Sequence, residues 1–209
     1  MLVVSQPRVR RRFGRLAALT AAAMFALPAA AFASSCPAQA TTTPFTHWGD
    51  TASYFPLAGG NFESPLAASG WMVAGAERTL GNEPFYVGSS TDSHSLTIDA
   101  GGVAVSPSFC VDASMPYFRF FAHALSANGN LEVRLLVAPV AGPLSVPTSQ
   151  AVDVTAGSMA TWGPTGLLNL ADGVTMAPGQ SELGRLVFHA AGPGSWQIDD
   201  IYVDPYRMG

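Results

Sequence analysis

Lysine is absent from this 209-residue chain, which removes Schiff-base chemistry and any Ser-Lys dyad from consideration. Other catalytic signatures are missing too: there is no Gly-x-Ser-x-Gly elbow, no His-Glu-x-x-His, no phosphate-binding glycine loop and no EF-hand loop. Gly192-Pro193-Gly194-Ser195 reads as a turn before a strand rather than a nucleophile elbow. The four histidines, His47, His94, His123 and His189, lack metal-ligand spacing, and most read as hydrogen-bonded structural residues. Helical periodicity is nearly absent, and no repeat, heptad or long charge run occurs. No second long apolar run follows Phe32, so no membrane span is expected beyond that point.

What is present begins with Arg8, Arg10, Arg11, Arg12 and Arg15, followed by an alanine-rich apolar run from Leu16 to Phe32. That is the layout of a secretory signal peptide, with Ala31-Phe32-Ala33 as its cleavage pattern and Ala38-Gln39-Ala40 as a second candidate site. Residues 1–33 are therefore expected to be a signal peptide, 34–52 an N-terminal arm and 53–209 a single β-sandwich domain. The expected localisation is secreted or extracellular, with association to the cell surface as a variant of it. Five arginines against fourteen carboxylates give the mature part a net charge of −9, which argues against nucleic acid as a partner. Cys36 and Cys110 form an even pair in a chain expected to meet oxidising conditions, so a disulfide is expected. The chain-entropy model puts such a bridge at about 4 kcal/mol at most. Ala33-Ser34-Ser35-Cys36 also resembles a lipoprotein box, and acylation of Cys36 would leave Cys110 free.

From residue 53 onward, Gly and Pro punctuate short runs of β-branched and aromatic residues. Strands are predicted at 53–57, 70–75, 84–87, 93–99, 103–106, 117–125, 131–139, 151–155, 183–190 and 195–203, and ten short strands suggest an antiparallel sandwich. Asn128-Gly129 is a preferred centre for a two-residue hairpin turn. Such a hairpin would set Ala124 opposite Val133, Ala122 opposite Leu135 and Phe120 opposite Val137, an apolar face that must be core. Its other face would carry Tyr117, Arg119, Phe121 and His123 beside Arg134 and Leu136.

Gly59-Gly60-Asn61-Phe62-Glu63, Ser69-Gly70-Trp71-Met72-Val73, Ser93-His94-Ser95-Leu96-Thr97-Ile98 and Trp196-Gln197-Ile198-Asp199-Asp200-Ile201 occur in that order. Together they resemble the jelly-roll, galactose-binding-like carbohydrate-binding modules of the family four, nine and twenty-two type, over Gly59 to Asp204. The resemblance implies an all-β antiparallel jelly roll and a structural calcium ion on Glu63 and Asp199, with Asn61 and Asp200 as possible further ligands. A hard cation does need several oxygen ligands, although Asp199 and Asp200 read equally as ordinary strand-end carboxylates.

Sugar recognition needs flat aromatic rings and planar hydrogen-bonding groups. The candidate ligand residues are Tyr117, Arg119, Phe121, His123, Arg134 and the loop residue Trp162. The competing account closes this face with loops or with the Ala138 to Pro147 segment and pairs its arginines with carboxylates as structural ion pairs. Glu77, Glu83, Asp92 and Asp112 cannot be matched as a glycosidase pair from the sequence. The expected function is a secreted, non-catalytic carbohydrate-binding-like module whose partner is a polysaccharide. An envelope or extracellular protein-interaction domain on the same fold is the alternative, and a glycan hydrolase the remote one.

Overall fold

A computed structural model describes residues 36–112, 115, 117–138, 151–169 and 181–205. The expected signal peptide and the Ala138 to Pro147 segment's residues 139–147 lie outside the described residues. The regular structure of the described residues is nearly all strand: β1 (Phe55–Pro56), β2 (Met72–Leu80), β3 (His94–Val105), β4 (Phe109–Asp112), β5 (Tyr117–Ala124), β6 (Asn130–Ala138), β7 (Val152–Thr155), β8 (Gly163–Pro164), β9 (Leu168–Asn169), β10 (Ser181–Ala191) and β11 (Trp196–Val203). They form one curled antiparallel sheet in the order β7-β6-β10-β3-β11-β5-β8, with β1 on β11, β2 on β3, β4 on β10 and β9 on β5. β3 connects the two layers: Val103–Val105 pair with β10, and Leu96–Ile98 pair with β11.

Side-chain alternation explains how the curled sheet closes on itself. Along β10, Leu186, Phe188 and Ala190 are buried, while Arg185, Val187 and His189 between them are partly exposed. Inward residues of β6 and β10 meet those of β5 and β11 in a single core, with Phe120 and Phe188 in edge contact at 5.3 Å across it. Trp71, just before β2, and Trp196, at the start of β11, belong to that core.

The expected β5–β6 hairpin does not form. Ala124 pairs with Trp196 and Ala122 with Ile198 on β11, whereas Val133 pairs with Phe188 and Leu135 with Leu186 on β10. Asn128-Gly129 thus carries the chain from one layer to the other. The residues expected to point inward still do, because alternation decides which face is apolar but not whether the apolar faces are neighbours or opposed. The crossing is held by tight backbone contact, since a Cβ at Gly194 would lie 2.1 Å from the Asn128 carbonyl oxygen. Gly129, with φ of +108°, takes a conformation that favours glycine.

Cys36 and Cys110 are joined by a disulfide, so the Cys36 sulfur is not available for acylation in this form. Beyond Cys36, Thr42 bridges Tyr54, and the segment between them forms a loop with a short 3-10 turn at Thr46–Trp48. That loop lies on the outer face of the β5–β11 layer and builds a second apolar cluster of Phe45, Tyr54, Phe121 and Tyr202.

Candidate functional site

The aromatic and cationic face of β5 is closed by the chain's own arm. Phe45 is fully buried and stacks on Phe121, with ring centroids 5.6 Å apart, while meeting Tyr54 and Tyr202 edge-on. The Arg119 guanidinium carbon lies 4.3 Å from the Phe45 ring centre. Arg119 donates from Nη1 to Asp50 Oδ2 at 2.6 Å and from Nε to the Thr165 carbonyl at 2.8 Å. Tyr54 donates its hydroxyl to the same Asp50 oxygen at 2.6 Å. Burial would raise the Asp50 carboxyl, but these donors and the Ala52 amide outweigh it and hold Asp50 below the ordinary carboxylate value.

The sequence-predicted sugar residues are therefore not one open platform. Arg119 and Phe121 are buried under the arm. His123 lies against Trp162 at 5.7 Å between ring centroids, and Trp162 packs on the arm cluster as a cover. Tyr117 stands opposite Asn169 in register. Arg134 belongs to the other layer, where it lies 3.6 Å from Glu132. Tyr117, Arg119, Phe121 and His123 share one face of β5 by alternation, whereas the expectation that Arg134 joins them depended on the hairpin and fails with it.

The two residues of the expected calcium pair have different partners. Glu63 Oε1 accepts the Ser93 and His94 amides at 2.7 Å each, and Oε2 lies 3.2 Å from His94 Nδ1. Burial opposes ionisation of Glu63, but those amides and the imidazole prevail and lower its pKa. The Phe62 and Glu63 carbonyls, oxygens that a cation beside this motif would need, take the Arg78 guanidinium instead. Asp199 faces other partners: its Oδ2 accepts the Glu83 amide at 3.2 Å and its Oδ1 the Asp200 amide at 2.9 Å. Glu63 with its carbonyls does not fit a cation, because its acceptors are already matched by donors and a fixed positive charge.

A different acidic group gathers around Asp200. The loop between β2 and β3 brings Glu83 and Asp92 to the bulge in β11 where Asp200 has φ of +45°. Glu83 is fully buried and accepts the Phe85 and Val87 amides on its two oxygens, which shapes the loop. Burial first, then the neighbouring carboxylate of Asp200, pushes Asp199 up to about 9. Burial, followed by Glu83 and Asp92, pushes Asp200 up to about 7. Asp92 is also raised, by burial and then by the charge of Glu63. Asp92 Oδ2 and Asp200 Oδ2 are buried and have no hydrogen-bond partner.

These two carboxylates converge on one point, because a Cβ at Gly88 would lie 2.8 Å from Asp92 Oδ2 and 2.9 Å from Asp200 Oδ1. Among the described residues no three His, Cys, Asp or Glu side chains close together as a metal cage. Beside the convergence is a cavity of about 620 Å³, lined among others by Thr42, Thr43, Asn61, Ser89, Asp92 and Asp200. Asn61 and Asp200 were legible as site candidates from their motifs. Glu83 and Asp92 were visible only as unmatched carboxylates, since more than a hundred residues separate them from β11.

The class defined by this architecture is the antiparallel β-sandwich of jelly-roll type. No protein-family model matches the chain, and no curated protein matches it in sequence. Solved structures are similar to the chain at low identity. A xylan-binding domain of the CBM22 type from Paenibacillus barcinonensis is 13% identical, over 83% of this chain and 100% of that one, with a TM-score of 0.46. The module TmCBM61, solved with β-1,4-galactotriose, is 14% identical over 70% of this chain and 95% of that one, with a TM-score of 0.40. The K2 cleaved adhesin domain of Lys-gingipain is 9% identical over 72% and 98%, with a TM-score of 0.40.

Proposed function

We propose that the protein is an exported, non-catalytic carbohydrate-binding-like module, and that its glycan lies in the cavity between the arm and the loop at residues 87–92. The observation that carries this reading is the unpaired acceptor pair, Asp92 and Asp200, on the wall of a cavity of about 620 Å³. Ligand pockets span roughly 300–1,000 Å³, and polar groups converging in one set orientation. Sugar hydroxyls are donors, and hydroxyl-to-carboxylate bonds are among the strong ones. Thr42, Thr43, Ser89 and Asn61 add hydroxyl and amide groups on the same lining. Export is supported by the signal-like start and the disulfide. A calcium ion belongs to the same reading, held on the Asp200 side rather than at Glu63.

A second reading, a protein-contact domain of the cell envelope, is favoured by the exposed Met72, 52% accessible, which pairs with Val105, itself paired with Val187 on an outer sheet face. Retention of the mature protein on a panel of insoluble polysaccharides, with release of reducing ends followed in parallel, separates the readings. Retention on a glycan, weakened by Asn61→Ala without sugar release, supports the module. Failure to be retained on any polysaccharide rejects it in favour of protein contact, and sugar release rejects the non-catalytic assignment.

A further inference from the structure

We propose that Tyr86, on the loop between β2 and β3, is the stacking residue of the cavity and lays its ring against the CH face of a pyranose unit of the glycan held there. The inference rests on the reading of that cavity as the glycan site. It adds an exposed ring to a lining whose own aromatic residue, Tyr202, is buried in the arm cluster.

The backbone is what singles Tyr86 out. Among the described residues, three that are not glycine have a left-handed φ: Phe62 at +51°, Tyr86 at +53° and Asp200 at +45°. That conformation crowds the Cβ of any L-residue and is least favourable for a bulky one. Phe62 offsets the cost by complete burial against Trp71, and Asp200 sits buried in the β11 bulge. Tyr86 has no such compensation. It is 50% exposed, and the described residues give its side chain neither a ring contact nor a hydrogen bond. Its neighbour Phe85 packs edge-on to Trp48 at 4.9 Å, so the fold uses the one ring and not the other.

The loop is built to hold this conformation. The buried Glu83 accepts the amides of Phe85 and Val87 on its two oxygens and grips the chain on both sides of Tyr86. Asp199 accepts the Glu83 amide and ties that clamp to β11. Directly after Tyr86, Val87, Gly88 and Ser89 line the cavity, so Tyr86 stands at its rim. Strain that the surrounding structure maintains at such a position points to function. A flat ring at the rim complements the acceptors within, because a pyranose presents a CH face to an aromatic ring and hydroxyl donors to carboxylates.

The test is retention of the full mature chain on insoluble cellulose, xylan and chitin, with thermal melts alongside. Tyr86→Asn and Tyr86→Gly should each melt at or above the parent, because both residues accept a left-handed φ. Each should weaken retention by about tenfold or more through loss of the ring. Tyr86→Phe keeps the ring and should be retained within about twofold of the parent. Leu80→Ala removes a side chain 81% exposed at the end of β2 and should also stay within about twofold, which separates stacking from general apolar adhesion. Equal retention of Tyr86→Asn and the parent overturns the proposal and leaves the glycan reading standing. So does a loss in Tyr86→Phe as large as that in Tyr86→Asn, which would assign binding to the hydroxyl. A marked fall in the melting temperature of both Tyr86→Asn and Tyr86→Gly would make the ring structural and overturn it too. A parent held by none of the polysaccharides removes the glycan reading and this inference with it.

Discussion

Replacing Phe45 with alanine tests whether the arm is part of the folded body or a cover laid upon it. Phe45 is fully buried between Phe121, Tyr54 and Tyr202 and beneath the Arg119 guanidinium. Truncating such a ring costs about 3–5 kcal/mol through lost burial and the cavity left behind. In a domain of this size each kcal/mol moves the midpoint by roughly 2–4 °C, so the drop should be roughly 6–20 °C. Far-ultraviolet circular dichroism would follow the strands, and fluorescence would report on Trp48, which packs on Phe121 at 5.3 Å. If the arm is integral, both signals move together to the lower temperature. A shift under about 2 °C, or a separate early loss of the fluorescence signal with an unchanged strand transition, would refute the reasoning.

Acid should loosen the same seal. The Asp50 carboxyl is depressed in the folded state, so its stabilisation is complete above the unfolded value near about 4 and disappears as pH falls through the lower folded one. Trp48 fluorescence should therefore hold steady from neutrality to about pH 4 and change below it, and Asp50→Asn should abolish that acid response. Replacing Cys36 and Cys110 by serine opens a loop with a sequence separation of 74. It should cost about 4 kcal/mol at most, read as a lower midpoint by calorimetry. Gly194→Ala should cost about 3 kcal/mol or more, since its Cβ would meet the Asn128 oxygen at 2.1 Å. Gly157→Ala, with open space around it, should leave the denaturant midpoint unchanged.

How far the sequence reveals this molecule depends on the interaction in question. Alternation shows that β5, β6, β10 and β11 exist and which of their residues face inward, because burial of one face leaves a period of two. It cannot show that β6 pairs with β10 and β5 with β11, a choice made by closure of the whole sheet. Pro84-Phe85-Tyr86-Val87 reads as a strand by composition, yet two of its amides are taken by the buried Glu83, leaving a loop. The predicted strands at 93–99 and 103–106 are one, β3, because the Gly101-Gly102 pair continues it from one layer into the other. β4 at Phe109–Asp112 was not anticipated, and neither were the two-residue β8 and β9.

The candidate site divides along the same line. Asp199-Asp200 announces itself as a local pair. Glu83 and Asp92 acquire meaning only once the β2–β3 loop is folded against β11. The aromatic face misled for a related reason: Tyr117, Arg119, Phe121 and His123 look like a surface awaiting a ligand, and the residues that cover Arg119 and Phe121 stand some 70 positions earlier, at Asp50 and Phe45.

The arm loop is anchored at both ends, through Cys36 to β4 and through Phe55–Pro56 to β11. A plug tethered in this way meets its own docking face at an effective concentration on the order of millimolar, set by the short connecting chain. Any external ring-bearing ligand that sought the Arg119–Phe121 surface would have to outcompete a partner that cannot diffuse away. Reduction of the disulfide would free one anchor and leave the other, so the face would remain self-occupied.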